Sequence, residues 1–225
     1  MCDVEQTIER TSEIVSSLFY LPALYVTYRD GQYAAMLWIT ASMIASILYH
    51  LCNTLNDGLT QCFAVCFLSD SVGFFLDESL VFLVLVTVVL YRAQYDATPA
   101  YTISVIISAV VFMTFPVESG TDYDTQSDYM TGFGIGFAAF LFAHRVYRDY
   151  KESPKDWFTV KTTAGTALVL IVMAIIFHSL QFEWSDDEGW LHTSWHVTGE
   201  LAVLFALLYV DSFFHYSSVG SKDLH

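Results

Sequence analysis

The sequence predicts an all-α polytopic membrane protein: a seven-transmembrane-helix bundle with its N-terminus outside and its C-terminus cytoplasmic. Three observations predict it. The 225-residue chain is 55% hydrophobic and 16% aromatic, and its apolar residues fall in repeated long runs. Seven runs, at roughly 12–28, 33–52, 71–91, 99–116, 131–148, 159–181 and 190–214, come close to the ~20 residues that cross ~30 Å of hydrocarbon. Of the nine basic residues, all but Arg10 fall between the closing residues of the first, third, fifth or seventh run and the opening residues of the next, or in the tail. Basic residues gather on the cytoplasmic side, so those connections and the C-terminal tail are expected inside. The polar gaps are too short for a soluble domain, and residues 1–225 read as one transmembrane domain.

The first run opens after Met1-Cys2-Asp3-Val4-Glu5. That start is acidic and lacks the basic region of a signal peptide, so the run is expected to be retained as a span. Pro22 predicts a kink within it. Arg29-Asp30-Gly31-Gln32 reads as a tight turn into the second run, which carries Ser46, His50 and Cys52. Asn56-Asp57-Gly58 is the next turn signal. The third run holds Asp77 and Glu78. The fifth opens on Gly132, Gly134 and Gly136. No strand precedes them and the spacing is wrong for a nucleotide fingerprint, so they read as a face for close helix packing. The basic stretch 145–161 reads as a topology signal and a contact for anionic lipid. His178 lies near the end of the sixth run, and Trp190-Leu-His192-Thr-Ser-Trp195-His196 begins the seventh.

The net charge is −15, and a chain so acidic is a poor partner for nucleic acid. Acidic residues dominate the predicted outer connections, where solvated loop ends are the plainest explanation. Four cysteines are present. Cys52, Cys62 and Cys66 fall on the predicted outer side, where disulfides persist. A Cys52–Cys62 bridge would staple the loop beyond His50, whereas free cysteines would pack as small apolar residues.

Five polar residues inside or at the lip of these runs carry the functional reading: Ser46, His50, Asp77, His192 and His196. Lipid cannot solvate ionisable groups, so such residues mark function by default. His192 and His196 are four apart, and on a helix both imidazoles share one face. The predicted orientation puts His50 near the outer surface, with Ser46 one turn deeper. Asp77 falls about 9 Å in from the start of its span, and His196 about 6 Å deeper than His192. All five therefore share one slab of the outer leaflet. A lone histidine in a span more often bonds between helices than binds metal, so the weight rests on that coincidence of depth. Three imidazoles with one open position make a catalytic zinc pattern, with His50, His192 and His196 as ligands. Zinc brings the pKa of a bound water to roughly 7. Asp77 would take a proton from that water or orient it, and Ser46 would bond a ligand or help hold an oxyanion. Glu78 points to another face, while Glu200 extends the His192–His196 stripe. These two and His178 are kept outside the ligand set.

The pattern Ser46-Ile-Leu-Tyr-His50, Asp77 and His192-Thr-Ser-Trp-His196 resembles the signature of the CREST superfamily of seven-helix membrane proteins. Ser17-Leu-Phe-Tyr-Leu-Pro22, Tyr49-His50-Leu-Cys52-Asn53, Cys62 and Trp190 to His196 are most similar to its transmembrane-protein-8 and myomaker branch. Glu200 departs from that branch, being an acid where an apolar or small residue is expected. The resemblance implies a zinc site on the three histidines with Asp77 and Ser46 beside it. It also implies lipid hydrolase chemistry for the superfamily, and a membrane-fusion role within the branch. The expectation is thus a zinc-dependent lipid hydrolase cleaving a phospholipid or ceramide ester or amide in the outer leaflet. The alternative is a membrane-remodelling or fusion protein whose zinc is structural; a receptor of the adiponectin-receptor-like kind ranks third. A membrane lipid is the expected substrate or ligand, and a homodimer is one assembly open to such a bundle. The expected location is the plasma membrane or a secretory-pathway membrane.

Overall fold

The computed structural model describes residues 11–56, nine positions between 73 and 88, Ile106, and residues 123–152, 158–183 and 190–220. Every regular element among the described residues is helical. Residues 11–16 are helical and lead into a 3-10 turn at Ser17–Phe19. Helices α1 (Tyr20–Arg29), α2 (Tyr33–Asn56), α3 (Tyr123–Glu152), α4 (Phe158–Glu183) and α5 (Trp190–Gly220) follow. The described positions between 73 and 88 are also helical. The predicted run 99–116 lies outside the described residues except at Ile106, as do Cys2, Cys62, Cys66 and Glu78.

The predicted kink at Pro22 takes a specific form. Proline lacks an N–H, and its ring clashes with the carbonyl four residues back, here that of Leu18. The chain meets this by tightening into the 3-10 turn and restarting, so that Pro22 falls in the first turn of α1. That position tolerates proline because its amide would be unpaired in any case. The far end of α1 is closed by Gly31 at φ 66°. The Gly31 amide donates to the Tyr28 carbonyl at 3.2 Å, and the Gln32 amide to the Thr27 carbonyl at 2.8 Å. This crossed pair caps the helix through a left-handed residue, which glycine adopts without strain. The expected turn is therefore present.

Two helices, over Tyr33–Cys52 and Lys161–Gln181, are long and apolar enough to cross a membrane. Their outward faces are apolar too: Leu37 and Ile44 on α2, and Val169, Val172 and Ile176 on α4, are exposed. The opposite face of α4 carries Ala164, Ala167, Ile171 and Ala174, all buried. It meets α5, whose Ala202, Val203, Ala206 and Leu207 are likewise buried. Small side chains let two backbones approach closely, which takes the place of hydrophobic burial where the surroundings are themselves apolar. Helix α1 packs on α2 and α5, and α3 on α4, while the 3-10 turn touches α1, α2 and α5.

Two expectations are corrected. Gly136 was assigned to a packing face, yet it is exposed, and a Cβ there would meet nothing within 4 Å among the described residues. The stretch 145–161 was read as a contact for anionic lipid, yet α3 continues through Glu152 and Arg145 is only 6% exposed. Arg145 Nε donates to Asp149 Oδ2 at 2.6 Å, and the Tyr209 hydroxyl of α5 donates to the same oxygen at 2.8 Å. Residues four apart share a helix face, so α3 can turn an arginine and its carboxylate inward together.

Candidate metal centre

α2 brings His50 to its far end, and α5 presents His192 and His196 from its first two turns. The 73–88 segment supplies Asp77. One ligand atom from each of the four lies within 4.8 Å of all the others. His196 Nε2 is 3.1 Å from His192 Nε2 and 3.4 Å from His50 Nε2. Asp77 Oδ2 is 3.5 Å from His50 Nε2 and 3.6 Å from His196 Nε2. A tetrahedral ion with bonds of about 2.0–2.1 Å separates its ligand atoms by roughly 3.3–3.4 Å. The observed spacings bracket that edge length.

The donor set points the same way. His50 Nδ1 lies 3.1 Å from Glu13 Oε2, and His192 Nδ1 lies 2.9 Å from Gln181 Oε1. Each Nδ1–H donates outward to its oxygen acceptor, so in the neutral ring the Nε2 lone pair faces inward. Two such lone pairs and a carboxylate oxygen then converge around His196, which has one Nε2–H at most. Acceptors that face each other without donors, in a buried place, call for a cation. Outward donation from Nδ1 is also how ligating histidines are usually held. His50, Asp77 and His196 are each at most 2% exposed. Imidazole nitrogens with one carboxylate suit a divalent transition metal.

Sequence reasoning placed these four residues at one depth, and the structure brings them together. It assigned Asp77 a proton-handling role; here Asp77 Oδ2 also stands at ligand distance, while Oδ1 has no hydrogen-bond partner among the described residues. Ser46 is buried but outside the four-residue group, and its hydroxyl accepts from Ser17 Oγ at 3.1 Å. It thus ties α2 to the 3-10 turn. His178 sits edge-on to Trp195, whose indole stacks on the His196 ring. Glu200 is buried one turn beyond His196 and is not in the group. Cys52, two residues past His50, is disulfide-bonded to a partner beyond the described residues. Glu13 and Gln181 escaped the sequence reading. Each is a polar residue at a span mouth, and only its depth, matching His50 or His192, could have drawn notice.

Residues 5–197 match a protein family described as "Protein of unknown function (DUF3522)". The match covers most of the chain, which therefore belongs to that family. No curated protein matches it.

Proposed function

We propose that this member of the DUF3522 family is an integral membrane protein with a zinc centre, and that it hydrolyses an ester or amide of a membrane lipid. The observation that carries the reading is the convergence of His50, His192, His196 and Asp77, with one Asp77 oxygen that has no partner among the described residues. Zinc in such a site supplies Lewis acidity and acidifies water to a pKa near 7. His50 and His192 hold the site in shape through their outward bonds to Glu13 and Gln181. Asp77 Oδ1, with no hydrogen-bond partner among the described residues, would accept a proton from water. The apolar outer faces of α2 and α4 suit a lipid environment, and a bilayer would deliver a lipid substrate sideways. The bonded Cys52 supports an oxidising, non-cytoplasmic side for this end of the molecule. The seven-helix bundle, the outside N-terminus and the likeness to the CREST superfamily are parts of the same proposal.

One observation favours a second reading. Asp77 Oδ2 stands close to the fourth corner of a tetrahedron, and a closed four-ligand site is the structural kind. Under that reading the protein remodels or fuses membranes and turns over nothing. Asp77→Asn separates the two, because the amide keeps the size and loses the proton acceptor. In the hydrolase, purified wild type releases product from phospholipid or ceramide vesicles, and Asp77→Asn is slower by about 10²–10⁴-fold. Zinc-loaded wild type giving no more product than Asp77→Asn would retire the enzyme.

A further inference from the structure

The helical turn 11–16 stands over the four-residue group and bonds to both helices that supply its histidines. Glu13 Oε2 is 3.1 Å from His50 Nδ1 on α2. One residue earlier, Ser12 Oγ is 3.2 Å from Thr193 Oγ1, next to His192 on α5. Ser16 Oγ closes the turn on itself by donating to the Glu13 carbonyl at 2.6 Å. The Glu13 side chain is 13% exposed and His50 2%, so the contact is largely removed from water. We infer that Glu13 is a positioning residue for the metal: its carboxylate fixes the His50 ring and tautomer, and supplies a second negative charge against the ion. This rests on the metal reading above, though not on turnover.

Three physical consequences support the assignment. A carboxylate that accepts Nδ1–H raises the basicity of Nε2 and holds the ring plane on the metal. Glu13 and Asp77 lie on opposite nitrogens of one imidazole, so the pair brackets His50 with two negative charges. A dication between them brings that sum to zero, which matters where charge is poorly solvated. Gln181 performs the same orienting task for His192 with a neutral acceptor. The charged acceptor thus belongs to His50 alone among the two histidines whose Nδ1 contacts are described.

The test uses full-length protein in detergent, with zinc affinity measured by chelator competition and the visible spectrum recorded after cobalt substitution. Glu13→Ala removes the acceptor and is expected to weaken zinc binding by about 10–100-fold, with a shifted cobalt spectrum. Glu13→Gln keeps an acceptor but not the charge, and is expected to fall between wild type and alanine. Glu13→Asp is expected to recover less than wild type, being one methylene short. A residue that merely packs would move the melting temperature without ordering the affinities by acceptor strength. Wild-type affinity and spectrum in Glu13→Ala would overturn the assignment while leaving the metal site standing. If that variant does not fold, wild-type behaviour in Glu13→Gln overturns it instead. Wild-type protein that binds no zinc would overturn both readings.

Discussion

His196 occupies the centre of the site, within 3.6 Å of a nitrogen or oxygen from each of the other three groups. Replacing it therefore removes a ligand and the common neighbour at once. His196→Ala is expected to lose most of about one zinc per chain, measured by elemental analysis of protein purified without chelators. The melting temperature should fall with it, and added zinc should not restore it. The four central residues were legible because helical spacing and charge asymmetry together fix a depth for each. Their orienting partners were not. Glu13 looks like an ordinary acid at the edge of an apolar run, and Gln181 like an ordinary polar terminus. Nothing in the local sequence says that either points at an imidazole. Ser46 shows the converse, because its spacing from His50 drew it toward the site while its hydroxyl engages Ser17.

Helices α4 and α5 meet through alanines, and the cost of disturbing them follows from that. Ala167 is fully buried. Ala167→Leu would force extra methylenes into a filled space, at a cost of typically 1–3 kcal/mol, readable as a lower melting temperature in detergent. Gly31→Ala should cost roughly 1–2 kcal/mol for a different reason, since a side chain is disfavoured at its left-handed φ although the space is open. Asp149 joins two helices outside the site. Asp149→Ala would strip the carboxylate from a buried arginine and the acceptor from Tyr209, and losing one partner of such a pair typically costs 3–5 kcal/mol. The starts of α2, α4 and α5 were readable to within one residue from their apolar runs. The ends of α3 were not: its first turns carry Asp124 and Asp128 and its last turns are rich in charge, so the helix runs from Tyr123 to Glu152 where the apolar run spans only 131–148.

Across the molecule, one side carries the four-residue site and the bonded Cys52, and the proposed orientation, drawn from the basic residues, puts that side outside. A tag before Met1 should be reachable by antibody on intact cells, and a tag after His225 only after permeabilisation. The opposite labelling would put the site toward the cytosol and remove the proposed orientation. Helix α5 runs between the two polar networks. His192 and His196 engage one near its beginning, Tyr209 engages the other thirteen residues past His196, and an apolar stretch from Ala202 to Leu207 separates them. A rod pinned at two marks cannot slide or rotate to satisfy one mark without missing the other. A screw motion of α5 by one turn, about 5.4 Å, would break both sets of bonds together. The helix is thereby indexed along its own axis, much as two pegs index a ruler. Inserting one alanine after Leu204 would advance Tyr209 by about 1.5 Å and turn it by about 100° relative to His196. The protein could then keep its four-residue site or its Asp149–Tyr209 bond, and metal content against melting temperature would show which mark holds the helix in place.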